Sequence, residues 1–419
     1  MTAAETPRRG HDGNFHRLVA ASGLSNLADG AFEIALPLVA LGITRDPGAF
    51  ASVTLVGRLP WLLFSLPAGA LADRLDRRRT MMLVNLARAA LIGSLAVAVA
   101  ADAEELWLLY LVAFGLGVGE TLFDTAAQSI LPNVVTDPTR LSKANGRLYA
   151  VELSANNFIG PPLGGLLAGV TLAGALTGSA VAYAFAAALL VLLVGSFRPV
   201  RESTAAPPRM RADIVEGVRY LVRHRLLRTL AVCVGISNLS STALFSVLAL
   251  HALEPGPLGL TSAWFGVLLA TLAAGSVIGS LFVERLERRI GRRRTLLLAT
   301  ATFPVYAAVL ATTTSVAWIG GAFFVGSALN IGWNVITVSL RQRIVPDHLL
   351  GRVNAGYRLV AWGTMPIGAA MAGLVGRRWG LEAVFWTSAG LGALCFPLVL
   401  LTVSDRVLAA AEPAARWPS

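Results

Sequence analysis

The chain has 419 residues, of which 55% are hydrophobic and 14% charged, with a formal net charge of +11. A soluble domain carries nearer a quarter charged residues, and here the charges cluster between apolar runs long enough to cross a hydrocarbon core of about 30 Å. The composition excludes a soluble globular protein, and the basic balance belongs to short loops that set membrane topology and not to nucleic-acid binding.

Twelve candidate spans follow in order: 16–43, 50–72, 79–101, 106–131, 146–170, 175–197, 228–252, 260–284, 293–313, 316–341, 353–376 and 380–403. Arginine marks alternate connections. Arg8, Arg9 and Arg17 lie at the N-terminus; Arg74, Arg77, Arg78 and Arg79 follow span 2; Arg140, Lys143 and Arg147 follow span 4; a longer series follows span 6. The other loops carry acids such as Asp102, Glu104, Glu105 and Glu254. The positive-inside rule places both termini in the cytoplasm of a multi-pass protein of the cell (inner) membrane. Arg377 and Arg378 break the rule locally. The first apolar run is too long for the core of a cleavable signal peptide. Cys233 and Cys395, each inside an apolar run, read as small buried hydrophobes.

The chain repeats itself. Ser25–Leu27 and Ser237–Leu239 both read SNL; Gln128 and Pro132 match Gln342 and Pro346; LSKANG from Leu141 is echoed by LGRVNAG from Leu350. The offset is about 210 residues, so the unit is six helices. The resulting organisation is a six-helix bundle over 1–198, a cytoplasmic linker over 199–227 and a second six-helix bundle over 228–419. Two parallel six-helix halves with a site between them are one plan of secondary transporters. Within the linker, Ile214, Val218, Leu221 and Val222 share a helical face. This predicts either an amphipathic helix on the inner membrane surface or a helical run-in to span 7.

Ionisable groups at membrane depth are costly and are functional candidates. Span 1 carries Asp29 and Glu33, and span 4 carries Glu120 and Asp124. Each pair is four residues apart and so lies on one face. Span 5 carries Glu152, with Asn156 one turn on. Arg58 and Arg88 lie in spans 2 and 3. Counted from the outer ends at 1.5 Å per residue, Glu33 and Arg58 are both roughly 12–14 Å deep, which allows an ion pair. Asp29 lies one turn deeper, with no obvious cation at its level. An unpaired acid in apolar surroundings takes up a proton more readily than one in water. Asp29 is thus the first candidate for proton coupling or a cationic substrate, set against a role in polar packing. Glu33, Arg58 and Glu120 complete the set. Arg88 and Asp124 read as braces nearer the cytoplasm. Substrate-cavity candidates are Asn26 and Asn156 in the first half and Asn238, Asn330, Trp333 and Asn334 in the second. Aromatic rings with a few amides suit a bulky, partly apolar ligand, although helix packing and interfacial anchoring are the favoured account of any single one of them.

The stretch GALADRLDRRRT, Gly69 to Thr80, resembles the loop signature G-x-L-a-D-r-x-G-r-k of the major facilitator superfamily. Gly69, Leu71, Asp73, Arg74, Arg77 and Arg78 match, and Asp76 stands where the pattern has glycine. NNFIGPPLGG in span 5 resembles the antiporter signature G-P-x-x-G-G through Gly160, Pro161, Gly164 and Gly165. With helix count and repeat, the chain resembles the twelve-helix drug:proton antiporters of the macrolide-efflux and enterobactin-exporter branch. The resemblance implies an all-α membrane fold and a cytoplasmic gate at Gly69, Asp73, Arg74, Arg77 and Arg78, with Arg77 reaching Asp124. It also implies monomeric export of a lipophilic compound (drug, antibiotic or siderophore-like) in exchange for protons, by rocker-switch alternating access. A symporter or facilitator importing a small metabolite is the alternative. Many such antiporters carry an arginine in span 4; here that span has none. No phosphate-binding G-x-x-x-x-G-K-[ST] loop occurs, the histidines are scattered, and no cofactor, metal or enzymatic activity is expected.

Overall fold

The computed structural model describes residues 9–72, 75–135, 138–195, 197 and 210–410. Among these the regular structure is helical, and eleven helices are long and apolar enough to cross a membrane. In the first half they run α1 (Arg9–Ile43), α2 (Pro47–Ala72), α3 (Arg77–Ala100) and α4 (Leu106–Val134). Predicted span 5 is divided into α5 (Pro138–Ser154), a π-helical turn (Ala155–Ile159) and α6 (Gly160–Val170), followed by α7 (Leu172–Val191). The second half contains α8 (Met210–Arg223), α9 (Arg225–Ala252), α10 (Ser262–Ile290), α11 (Arg292–Thr312) and α12 (Val316–Ile344). Span 11 is divided into α13 (Asp347–Gly363) and α14 (Met365–Trp379), and span 12 into α15 (Leu381–Ala393) and α16 (Cys395–Thr402), before α17 (Asp405–Ala410).

All three divisions have one cause. Proline has no backbone N–H to donate to the turn before it. Pro161 and Pro162 follow the π turn, Pro366 follows the break at Thr364, and Pro397 follows that at Leu394. A π turn within a helix often marks a functional site.

The chain forms two compact units. Unit 1 comprises Met1–Thr44, Val56–Ser203 and Thr261–Val267; unit 2 comprises Arg45–Leu55, Thr204–Leu260 and Leu268–Ser419. The division is therefore not contiguous in sequence: the start of α2 groups with unit 2, and the start of α10 with unit 1. In unit 1, α7 packs along both α1 and α3, with Leu18, Phe123, Ile130 and Leu190 in the core. In unit 2, α9 packs on α14 and α11 on α12 and α15. Its core includes Leu230, Leu296, Trp333 and the free thiols Cys233 and Cys395. Large apolar side chains such as Val97, Trp107, Phe185, Trp318 and Leu401 are exposed, as a hydrocarbon solvent allows and water does not.

The arginines after spans 2 and 8 do more than set topology. Arg78, the second residue of α3, donates to the carbonyl of Val191 at 2.6 Å, the last residue of α7. Arg293, the second residue of α11, donates to Val403 O at 2.9 Å and Leu400 O at 3.3 Å, at the end of α16. In each unit an arginine opening the third span caps carbonyls that close the sixth, groups a helix cannot satisfy by itself. The two turns differ locally. Asp76 has φ −66° and ψ 112°, and its carboxylate accepts from Arg79 N at 3.0 Å. An N-cap thus replaces the signature's glycine and needs no left-handed residue. Gly291 has φ 83°, a backbone that glycine adopts freely. There α10 runs on past its predicted end at 284 as far as Ile290, so Glu284 lies within a helix.

The linker helix α8 is separate from α9, which His224 caps. Part of its apolar face packs on α13, while Val215 and Val222 stay exposed. Leu221 is buried with Val345 and Val353, and a Cβ on Gly356 would lie 3.1 Å from a Val218 methyl. Arg352 pairs with Glu216.

Arg377, out of place by the positive-inside rule, forms a forked ion pair with Asp46, its Nε 3.1 Å from Oδ1. Hydrogen bonds from the Arg377 side chain and then the Ala49 N–H hold the Asp46 carboxyl below its ordinary 3.8. The contribution of this pair to stability is complete above the ordinary value and is lost as pH falls through the lowered one. We expect the stability difference between wild type and Arg377→Gln, followed by thermal unfolding, to vanish as the pH is taken well below 3.8. A difference that persisted there would assign Arg377 a packing role.

Candidate functional site

Unit 1 is built around a seam of glycines. A Cβ on Gly160 would lie 2.8 Å from Gly30 Cα and 2.9 Å from Leu27 O, and one on Gly164 would lie 2.4 Å from Ala31 O. On α1, a Cβ at Gly30 would lie 2.1 Å from Asn156 O. The export-type motif therefore presses α6 backbone to backbone against the turn of α1 that carries Asp29. Small residues permit such approach, and close packing holds helices together in lipid. Gly165 faces Gly266 Cα, 3.2 Å from the position of a Cβ. In unit 2 the stretch MPIGAA, Met365–Ala370, makes a similar approach: Gly368 meets Leu239 of α9, with a Cβ 2.2 Å from its carbonyl.

Asp29 was expected to lack a cation, and it has one. Arg88 Nη2 is 2.9 Å from Asp29 Oδ1, and Arg88 is 1% exposed. Counting depth along the helices does not place Arg88 beside Asp29, but a long side chain reaches beyond its own backbone level. Its Nη1 donates to Ser25 Oγ at 3.2 Å, and Nη2 also approaches Leu116 O at 3.4 Å. Ser25 donates in turn to Asn85 Oδ1 at 3.1 Å. Tyr183 of α7 donates to Asp29 Oδ1 at 2.5 Å, and its ring lies 4.9 Å from the Arg88 guanidinium carbon. Three helices thus meet at this carboxylate, and a fourth, α4, at its guanidinium partner. Sequence reading missed Tyr183, Ser25 and Asn85 as members of this network, and took Arg88 for a brace nearer the cytoplasm.

The remaining acids are disposed around it. Glu33 is paired with Arg58 at 3.0 Å, with both side chains well exposed at 53% and 37%. Glu120 Oε2 accepts from Trp61 Nε1 at 3.1 Å. Asp124 lies within electrostatic reach of Glu120, Glu152, Asp29 and Arg88. Glu152 Oε1 is buried without a hydrogen-bond partner. Asn156 Nδ2 reaches Asn26 Oδ1 at 3.4 Å, so these two amides join α1 to the π turn. The repeat-related Asn238 donates to Ala361 O at 2.7 Å, joining α9 to α13. Asn330 and Asn334 are exposed on α12, whereas Trp333 is a core residue at 7% exposure.

At the predicted gate, Gly69 lies in the last turn of α2, and Asp73 and Arg74 fall outside the described residues. Arg77 Nη1 donates to Asn133 Oδ1 at 2.6 Å and not to Asp124, which corrects that expectation. Among the described residues no group of three His, Cys, Asp or Glu side chains has metal-ligand geometry.

The family model described as transmembrane secretion effector matches residues 9–419. The chain is 30% identical over 411 residues to the multidrug efflux pump Tap of Mycolicibacterium fortuitum, covering 93% of each. It is 23% identical to macrolide efflux protein A of Streptococcus pyogenes, over 93% of this chain and 96% of that protein. Its fold is similar to a bacterial homologue of the human lysosomal transporter Spinster, crystallised inward-facing and occupied. There the TM-score is 0.73 at 13% identity, over 98% of this chain and 100% of the other. This chain belongs to the transmembrane secretion effector family of major facilitator transporters.

Proposed function

We propose that this protein is a secondary active exporter of lipophilic small molecules. It exchanges them for protons by alternating access between the halves 1–198 and 228–419, joined by the linker 199–227. It acts as a monomer in the cell (inner) membrane, with both termini and the gate at Gly69, Asp73, Arg74, Arg77 and Arg78 in the cytoplasm. The similarity to efflux transporters for multiple drugs and for macrolides supports export of this class of compound. One observation carries the coupling: the G-P-x-x-G-G motif of α6 closes on the turn of α1 that bears Asp29. A change in charge on that carboxylate therefore acts at the tightest helix contact of the unit. An ionised Asp29 is matched by Arg88; a neutral one leaves the arginine unmatched, so the two states favour different arrangements. Asp29 is the proton site in this reading.

The test is proton movement in everted membrane vesicles that hold a pH gradient. Macrolides, lipophilic cations and siderophores are added in turn to vesicles carrying wild type or Asp29→Asn. The expected result is collapse of the gradient by one class with wild type and no collapse with the variant, inserted to the same level. Collapse that persisted in Asp29→Asn would remove Asp29 from the coupling path. No collapse with any compound in wild-type vesicles would count against proton antiport of these classes.

A further inference from the structure

Arg88 is oddly seated for a static counter-ion. Its Nε is buried without an acceptor. Its side chain lies across α4 where there is no side chain to meet it: a Cβ on Gly119 would lie 2.7 Å from Nε and 2.9 Å from both Cδ and Cγ. The next residue is Glu120, whose carboxylate has the Trp61 N–H as a neutral partner and, among the described residues, no paired cation. The charged and titratable groups around Arg88 come from every helix that packs there. They are Asp29 and, beyond it, Glu33 on α1; Glu120 and Asp124 on α4; and Tyr183 on α7. Glu152 on α5 acts on Asp124. Glu33 already has Arg58. Of the two acids on α4, Glu120 is the one adjacent to the Gly119 seat.

We propose that Arg88 is the movable counter-ion of this cluster, handed from Asp29 to Glu120 when Asp29 takes up a proton, with Gly119 as the bare seat across which it moves. The inference rests on Asp29 as the proton site. Proton and charge balance: the proton enters on an Asp29 carboxylate oxygen, that carboxyl becomes neutral, and the guanidinium, protonated throughout, exchanges one carboxylate for another. Its net pairing is conserved, so no unmatched cation is left in the apolar core. Arg88 acts through Asp29 and is a positioning residue.

The experiment is an infrared titration of the purified full-length protein in lipid, with protons as the sole ligand. The Asp29 carboxyl band is the one lost in Asp29→Asn, and the Arg88 guanidinium bands are those lost in Arg88→Lys. In wild type the Arg88 bands are expected to shift in step with the Asp29 band. Glu120→Gln removes the second partner and is expected to lower the proton affinity of Asp29 on the order of tenfold. Gly119→Ala sets a methyl against the seat that Arg88 occupies beside Asp29 and is expected to raise that affinity, with a smaller effect once Glu120→Gln has removed the receiving carboxylate. Arg88 bands that stay fixed while Asp29 titrates would overturn the hand-over alone. So would a Gly119→Ala variant that leaves the affinity unchanged, lowers it, or keeps its full effect in the Glu120→Gln background. Should Gly119→Ala fail to fold, the wild-type bands decide by themselves. Absence of any Asp29 carboxyl band across the titration would overturn the proton site and the hand-over together.

Discussion

Replacing Arg88 by glutamine costs the protein about 3–5 kcal/mol of stability, and adding Asp29→Asn to that variant returns most of the loss. The asymmetry follows from what each change leaves behind. Glutamine at 88 abandons a carboxylate in the apolar core with one neutral donor, the Tyr183 hydroxyl, to stand in for a guanidinium. Removing one member of a buried pair leaves an uncompensated charge, whereas removing both leaves a pair of polar groups that can still hydrogen bond. Thermal and denaturant unfolding of the single and double variants in detergent measures the cycle. A single Arg88→Gln variant as stable as wild type would show that the pair contributes nothing to the fold.

Gly164→Val is expected to be more damaging still. A Cβ at this position would lie 2.4 Å from Ala31 O and 2.7 Å from Ala31 Cα. Both are backbone atoms of a long helix, and neither can rotate aside. The expected cost exceeds about 3 kcal/mol, the upper part of what overpacking a core usually costs, and a loss of monodisperse protein on extraction would register it. Gly93→Ala is the control, because nothing lies within 4 Å of a Cβ there. In a helix interior that change gains about 0.5–1 kcal/mol. If Gly164→Val and Gly93→Ala melted alike, the α1–α6 seam would not be the tight contact its geometry describes.

The course of the helices was largely legible before the structure. Apolar runs, arginine-rich turns and the repeat located the spans. Proline within span 5 pointed to a bend, although its form as a π turn depends on how the carbonyls ahead of Pro161 and Pro162 find partners. Depth counting matched Glu33 to Arg58 because both helices were measured from adjacent ends. The same counting failed for Asp29: it tracks backbones, and the Arg88 side chain reaches beyond its own backbone level. Tyr183 sat in an otherwise apolar span with no motif around it. A signal did exist for the rest of the network. Ser25 and Asp29 are four apart in span 1, and Asn85 and Arg88 three apart in span 3, so each pair defines a polar stripe on an apolar helix. Two such stripes call for each other. Trp333 misled for the opposite reason, since an indole serves a core or a cavity equally and the sequence does not say which side of α12 faces the rest of its bundle.

The arginine caps at the two ends of the repeat bear on how the protein is made. Arg78 is separated from its acceptor at Val191 by 113 residues, and Arg293 from Val403 by 110. Translation proceeds from the N-terminus, so each arginine leaves the ribosome long before the carbonyl it will hold. Until the sixth span of a unit is inserted, the turn ahead of the third has a cation without its final partner, and water must serve in its place. When that last span arrives, its terminal carbonyls displace the solvent and the ring of helices closes on itself. Within each six-span repeat the last helix supplies the carbonyls that the arginine awaits, and the first repeat can acquire its cap before most of the second has been made.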